Sequence, residues 1–273
     1  MAKNSRIEWT THTFNPWWGC VKVSPACKHC YAESWAKRVG KDVWGINADR
    51  RFFGDKHWGE PLRWNIVAGS SGERVRVFCA SMADVFEDRR DLDEARDRLW
   101  RLIEATPNLD WLLLTKRPEL VQSMTPWKGN WPDNIWIGTT VETQKYADER
   151  LPHLASIPAA VRFISAEPLL GPVDIGPWTG DLDWVITGGE SGPKARPSSP
   201  SWFRDLMNQC MASDIAFHFK QWGDWAPGQG IALAKVRAET VEDGTTMLRV
   251  GKKVAGRELD GETWDELPAA KTG

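Results

Sequence analysis

The length and composition of this chain are those of a soluble globular protein, and they exclude several classes. Its 273 residues, 41% hydrophobic and 26% charged, suffice for one large domain or two small ones. A formal net charge of −2 provides no global basic field that would draw the chain to nucleic acid. No apolar run approaches the roughly 20 residues that span a bilayer, and the first residues lack a signal peptide's apolar stretch. We therefore expect a cytoplasmic protein with no membrane partner.

Short apolar runs recur along the chain, and each is rich in β-branched or aromatic residues, as strands covered on both faces are. They lie at Ile7–Phe14, Val75–Ala80, Trp111–Thr115, Ile135–Thr140, Val161–Ala166, Trp184–Gly188 and Ile215–Lys220. Segments with helical spacing lie between them, at Ala32–Arg38, Leu92–Glu104, Thr143–Leu154 and Ser201–Ala212. This alternation predicts an α/β fold with a parallel sheet, and about seven strands favour a partial or full (βα) barrel.

The composition changes from Gly228 onward. Short stretches that mix apolar and polar residues follow, among them Met247–Val250 and Lys252–Val254. We expect a barrel over residues 1–225 and a small C-terminal β-rich extension or lid over residues 226–273.

Polar residues follow almost every predicted strand. They are Ser81 and Asp84, Lys116 and Arg117, Glu142, Glu167, Gly189 to Ser191, and Gln221 with Trp222. In βα barrels the functional groups lie at the C-terminal ends of the strands, so these positions are candidate site residues. For Lys116 and Arg117 the alternative is surface charge.

Three of the five cysteines crowd into one loop after the first predicted strand, at Cys20, Cys27 and Cys30. In a cytoplasmic protein, clustered cysteines indicate a metal or catalysis rather than disulfides. Iron–sulfur clusters are normally held by four cysteines, so three thiolates can hold a [4Fe–4S] cluster and leave one iron open for a ligand. The alternatives are a structural zinc ion with His29 or His12 as fourth ligand, or thiols that bind no metal.

A three-cysteine loop that ends Cys27-Lys-His-Cys30-Tyr31, placed after the first strand of a βα barrel, resembles the radical S-adenosylmethionine superfamily. The resemblance covers most of residues 7–225. Within the superfamily, the chain is similar to a phage-associated three-cysteine group. The matching segments are at residues 15–20, 114–118, 165–168, 188–192 and 220–223. One departure is that six residues separate Cys20 from Cys27, where the superfamily commonly has three.

The resemblance implies a [4Fe–4S] cluster on the three cysteines and S-adenosylmethionine on the open iron. One electron from a reductase, flavodoxin or ferredoxin would break a carbon–sulfur bond and release a 5′-deoxyadenosyl radical, which takes a hydrogen from the substrate. The implied cofactor-binding residues are Tyr31 near the adenine, Ser81, Asp84, Lys116, Glu142, Glu167, Gly188 and Gly189. The residues left for substrate are Arg117, Glu190, Lys220, Gln221 and Trp222.

The phage association implies a substrate from nucleic-acid metabolism and, for a phage-encoded chain, the host cytoplasm as the location. One such reaction is an isomerase-type rearrangement of an amino-acid-decorated thymine in phage DNA. The base would be extruded from the duplex, and the tryptophan-rich loops at Trp17–Trp18 and Trp222–Trp225 are expected to receive it. The alternatives are a radical enzyme acting on a free metabolite or a peptide, and a non-catalytic zinc-stabilised binding module.

Overall fold

The structure is a computed structural model that describes residues 4–5, 7–228 and 236–269. The strands in this part of the chain are β1 His12–Thr13, β2 Trp17–Trp18, β3 Arg51–Phe52, β4 Val75–Cys79, β5 Leu109–Thr115, β6 Ile135–Thr140, β7 Val161–Ala166, β8 Trp184–Gly188, β9 Ala216–Gln221, β10 Trp225–Pro227, β11 Ala238–Thr240, β12 Thr246–Arg249, β13 Glu258–Leu259 and β14 Glu262–Thr263. The α-helices are α1 Tyr31–Arg38, α2 Asp55–Trp58, α3 Glu60–Ser71, α4 Asp93–Glu104, α5 Val121–Met124, α6 Gln144–Ala155, α7 Pro200–Ala212 and α8 Lys252–Ala255.

Seven of these strands form one parallel sheet in the order β1-β4-β5-β6-β7-β8-β9. The spatial order equals the chain order, as in a βα barrel and unlike a doubly wound sheet, in which the order reverses. Within the described residues β1 and β9 are the sheet edges and do not pair with each other. The predicted α/β class with a partial barrel is therefore confirmed.

The strands form where the apolar runs predict them, because both faces of the sheet are covered. Every residue of β6 and β8 is buried. Helix α4 is amphipathic, and it buries Leu99, Leu102 and Ile103 on its inner face.

The first strand and the segment after it differ from the prediction. Strand β1 covers only His12–Thr13, although the amide of Phe14 still donates to the Phe78 carbonyl. Beyond Pro16 the chain leaves the main sheet, and β2 pairs antiparallel with β3. Helix α3 was not predicted, because Ile66 and Val67 are exposed on it and disturb its apolar period.

The chain divides into two compact units. The first comprises the described residues within Met1–Val23, Ala32–Thr139 and His153–Arg162, and the second those within Ser24–Tyr31, Thr140–Pro152 and Phe163–Gly273. The proposed boundary at residues 225/226 thus stays a prediction. From β10 onward, the second unit contains a three-stranded antiparallel sheet, β10-β12-β11, and the β13–β14 hairpin. Residues 252–255 form helix α8 rather than a strand. None of the described helices combines the length and the apolarity that crossing a membrane requires.

Candidate metal and cofactor site

The cysteine loop begins in the first unit, directly after β2. Gly19 has a φ of +116°, and a Cβ at this position would lie 2.2 Å from the Val43 carbonyl oxygen. The amide of Gly45 donates to the Cys20 carbonyl at 3.0 Å. The backbone before and at Cys20 is therefore packed directly against residues 43–45, and only glycine fits at position 19.

A buried ion pair holds residues 43–48 in place. The Arg50 guanidinium donates to the Val43, Gly45 and Ala48 carbonyls at 3.0, 3.1 and 2.7 Å. It also donates to both carboxylate oxygens of Glu87, at 2.6 and 3.2 Å. Both side chains are buried, so Arg50 links Glu87 to the segment that supports Cys20.

Asp84 is the centre of a second buried network in the first unit. Its carboxylate accepts from the Thr115 hydroxyl at 2.7 Å, the Lys116 amide at 3.1 Å and the Arg117 guanidinium at 2.7 Å. The loop after β4 is thereby tied to the end of β5, and the sequence-predicted residues Asp84, Lys116 and Arg117 are brought together.

The Arg117 side chain connects this network to the cysteine loop. Its Nη2 donates to the Val21 carbonyl at 3.0 Å, and its Nη1 lies 4.0 Å from Cys20 Sγ. The pKa of the Cys20 thiol is raised to about 12, chiefly by burial and also by the Asp84 carboxylate, while the Arg117 cation lowers it. Burial alone lowers the pKa of Arg117, but Asp84 and Cys20 outweigh it and the net shift is upward. Arg117 therefore stays a cation.

Asn15 completes the arrangement at the end of β4, and it was not among the predicted site residues. Its fully buried side chain accepts from the Met82 amide at 2.7 Å and donates to Ser81 Oγ at 3.1 Å. The Gly19 amide in turn donates to the Met82 carbonyl at 3.0 Å. The available clue was a polar residue next to Pro16, at the end of an apolar strand.

The rest of the cysteine loop lies in the second unit. Residues Pro25–Cys27 form a 3₁₀ turn, and Ser24 Oγ lies 3.8 Å from Cys27 Sγ. None of the five cysteines forms a disulfide, and those of the loop are partly exposed. Among the described residues, no group of three or more His, Cys, Asp or Glu side chains is arranged to hold a metal ion. The metal site on Cys20, Cys27 and Cys30 therefore stays a prediction, and its donor set of three reduced thiols fits a thiolate-held cluster.

Glu142 supports the turn from the end of β6. It is fully buried, and it accepts from the Arg150 guanidinium at 2.8 Å and from the Ala26 amide at 3.4 Å. Arg150 also donates to the Thr140 carbonyl at 2.8 Å. Both carboxylate oxygens of Glu142 are therefore engaged with the chain itself.

Glu190 supports the same turn from the end of β8. Its carboxylate binds the Arg196 guanidinium at 2.5 and 2.8 Å, the Arg196 amide at 2.8 Å and His29 Nδ1 at 3.3 Å. Arg196 continues to the Pro25 carbonyl at 3.2 Å. Burial raises the pKa of Glu190, but the hydrogen bonds from Arg196 outweigh it and lower the pKa overall. Arg196 could not be predicted as a site residue from the sequence, because its contact with Pro25 joins residues that are far apart in the chain.

Glu167 and Lys220 form a polar cluster at the ends of β7 and β9. The Lys220 ammonium binds both oxygens of Glu167, at 2.7 and 2.8 Å. The Gln221 amide donates to Ser191 Oγ at 3.1 Å and to Glu167 at 3.4 Å. These predicted cofactor and substrate residues are thus neighbours.

Two glycines at the end of β8 are explained by packing. A Cβ on Gly189 would lie 2.0 Å from the Trp222 carbonyl oxygen, and one on Gly188 would lie 3.1 Å from the Gln221 carbonyl oxygen. The backbone of both glycines lies close to β9 and to the residue that follows it. That the same backbone also approaches a ligand closely stays a prediction.

The aromatic candidates differ in exposure. Tyr31 is 61% exposed, whereas Trp17, Trp18, Trp222 and Trp225 are buried. The indole nitrogen of Trp222 also donates to the Glu258 carbonyl at 2.8 Å. In this conformation the tryptophans at the two loops are part of the core, and their contact with a substrate stays a prediction.

Fold and loop together define an α/β protein with the strand order of a partial βα barrel and a three-cysteine loop after its first strand. The model of one protein family matches residues 4–268, so the chain belongs to that family, which is described as a protein of unknown function (DUF5131). The search of curated proteins finds no match to this chain.

Among solved structures, the chain is similar to spore photoproduct lyase. A variant with bound AdoMet and dinucleoside spore photoproduct has 12% identity and a TM-score of 0.46, over 88% of this chain and 68% of that one. A complex with dinucleoside spore photoproduct has 13% identity and a TM-score of 0.47, over 90% and 70%. The fold assignment depends on the strand order and not on this likeness.

Proposed function

We propose that this chain is a radical S-adenosylmethionine enzyme with a [4Fe–4S] cluster on Cys20, Cys27 and Cys30. The observation that carries the proposal is how the loop is supported. Charged side chains bind its main chain on both sides of residues 22–24, the buried Arg117 at Val21 in the first unit, and the buried Glu142 at Ala26 and the partly exposed Arg196 at Pro25 in the second. These contacts hold the loop through its backbone groups and use no cysteine side chain.

When bound, the cluster and S-adenosylmethionine supply one-electron cleavage of a carbon–sulfur bond and a 5′-deoxyadenosyl radical that takes a hydrogen from the substrate. The protein's own part is binding, orientation and exclusion of water. We propose that Asp84 and Glu142 act by holding the loop, since their oxygens already bind Arg117 and Arg150. The remaining residues proposed for the methionine, ribose and adenine groups are Ser81, Lys116, Glu167, Gly188, Gly189 and Tyr31.

The metal is the first thing to test. Protein purified and reconstituted without oxygen is expected to be brown and to hold about four irons per chain. After reduction with dithionite and addition of S-adenosylmethionine, it is expected to form 5′-deoxyadenosine. Cys27→Ser is expected to lose the iron and the product, whereas Cys210→Ala, which removes a buried thiol of α7, is the matched control and keeps both. A colourless protein that binds one zinc ion would refute the proposal and support the zinc-stabilised module.

For the substrate, we propose a nucleobase, specifically an amino-acid-decorated thymine in phage DNA that is rearranged by the radical. The support is the resemblance to the phage-associated group; Glu190, Lys220, Gln221 and Trp222 are the residues proposed to contact the base. The electron donor is proposed to be a flavodoxin, a ferredoxin or a reductase.

The substrate test needs protein that already cleaves S-adenosylmethionine. It is incubated with decorated phage DNA, with the corresponding free nucleoside and with a peptide mixture, and the digested products are examined by mass spectrometry. A new nucleoside from the DNA alone is expected. A product only from the nucleoside or the peptides would assign the free-metabolite or peptide alternative.

A further inference from the structure

Arg117 has a position that its expected role in substrate binding does not explain. Its guanidinium is buried and lies between the Asp84 carboxylate, the Val21 carbonyl and the Cys20 thiol, at 2.7, 3.0 and 4.0 Å. Two of its three nitrogens thus face the chain itself. The Arg117 amide is also held, because it donates to Thr115 Oγ1 at 2.9 Å.

The planar guanidinium suits this position better than another cation would. Nη1 faces both Asp84 and Cys20, while Nη2 faces Val21, so one rigid group reaches three partners in two directions. A lysine ammonium is a point charge on a flexible stem and cannot hold the same three partners in a fixed geometry.

The cation lies beside a thiol that the proposed function makes an iron ligand. Hydrogen bonds to the sulfurs and the net charge around an iron–sulfur cluster set its reduction potential. A positive charge near a ligating sulfur favours the reduced form, because that form carries one more negative charge.

We infer that Arg117 tunes the cluster of the proposed function. Through Cys20 it raises the reduction potential, and through Val21 it fixes the orientation of that ligand, whereas it does not bind substrate. The inference rests on the proposed function. The redox step concerned is the uptake of one electron by the oxidised cluster, from dithionite in the test or from a flavodoxin- or ferredoxin-type donor.

Asp84 makes the sign of the effect testable. It is the counter-charge of Arg117, at 2.7 Å. Removal of the cation should lower the potential, whereas removal of the anion should raise it. Mere loosening of the loop would move both variants in the same direction.

The experiment is a redox titration of anaerobically reconstituted protein, followed by electron paramagnetic resonance, with iron content measured in parallel. In Arg117→Gln, the ratio of reduced to oxidised cluster at fixed potential is expected to fall about tenfold, equivalent to about 59 mV for one electron. Asp84→Asn is expected to shift the ratio upward, and Arg117→Lys to lie between Arg117→Gln and the wild type. Arg96→Gln is the matched control, because this buried arginine binds the Val85 and Glu87 carbonyls, and it should leave the ratio unchanged.

Several outcomes would overturn the inference. Arg117→Gln with full iron, an unchanged ratio and a raised KM for substrate would assign Arg117 to substrate instead. Shifts of the same sign in Arg117→Gln and Asp84→Asn would assign only a structural role. If Arg117→Gln loses its iron, the test uses the other two variants: a ratio of reduced to oxidised cluster that does not fall in Arg117→Lys and rise in Asp84→Asn would overturn the inference. Wild-type protein without iron would refute the proposed function itself and the inference with it.

Discussion

Loss of the Arg50 guanidinium is expected to destabilise the first unit strongly. The Arg50 side chain is fully buried and that of Glu87 is 3% exposed. Arg50→Met leaves the Glu87 carboxylate buried without its partner, and breaking a buried pair in this way costs about 3–5 kcal/mol. The three loop carbonyls that Arg50 binds also lose their donor. We therefore expect the free energy of unfolding to fall by about 3–5 kcal/mol.

Substitution of Glu87 should lower the free energy of unfolding by less than Arg50→Met does, and the losses of the two single variants should not add in the double variant. In Glu87→Leu the Arg50 cation keeps its three carbonyl partners, so we expect a loss at the lower end of that range. The double variant leaves neither charge behind, and its loss should fall short of the sum by about 0.5–3 kcal/mol, as for residues in direct contact.

The assay is urea unfolding of metal-free protein, followed by two spectroscopic probes whose coincidence tests two-state behaviour. The matched control is Arg204→Met, which breaks the exposed Arg204–Asp260 pair and should cost less than about 1 kcal/mol. A loss below about 1 kcal/mol in Arg50→Met, or strict additivity with Glu87→Leu, would refute the assignment of a stabilising buried pair.

Two further predictions concern the second unit. Gly189→Ala is expected to cost about 1–3 kcal/mol, because its Cβ would lie 2.0 Å from the Trp222 carbonyl oxygen; Gly180→Ala, with open space around it, should cost nothing comparable in the same urea assay. Burial raises the pKa of Asp243, but hydrogen bonds, including one from the Ser201 amide, outweigh it and lower the pKa well below its usual range. The stability it contributes is then present above the unfolded pKa of about 4 and is lost as pH falls through the lower folded pKa, so the wild type's advantage over Asp243→Asn should shrink below about pH 4. An advantage that grows on acidification would contradict that sign.

The strands of the main sheet were predictable because both of their faces are covered. The predicted bounds Ile135–Thr140, Val161–Ala166 and Trp184–Gly188 match the structure residue for residue. Helix α3 was missed, although Pro61 in its first turn and Gly72 just after it are ordinary helix boundaries. It buries only a narrow stripe, so its apolar spacing was not evident.

The site was predictable in part for a related reason. Strand ends can be located from apolar runs, so polar residues such as Asp84, Glu142 and Glu190 could be listed. The partners of Glu142 and Glu190 could not, because Arg150 and Arg196 come near them only after the chain has folded. The role proposed for Asp84 and Glu142 changes accordingly, since each binds an arginine of its own unit.

These ion pairs have a common physical purpose. Taking two charges out of water is costly, and apolar side chains of similar size often serve stability as well or better. A loop without a regular hydrogen-bond ladder, however, needs partners for its buried amides and carbonyls. Glu142 in the second unit provides such a partner for the buried Ala26 amide, and Arg117 in the first unit provides one for the part-buried Val21 carbonyl, while Arg196 binds the carbonyl of the exposed Pro25. An apolar replacement could fill the same space but could not bind those backbone groups, which is why we attribute these charges to the conformation of the cysteine loop rather than to stability alone.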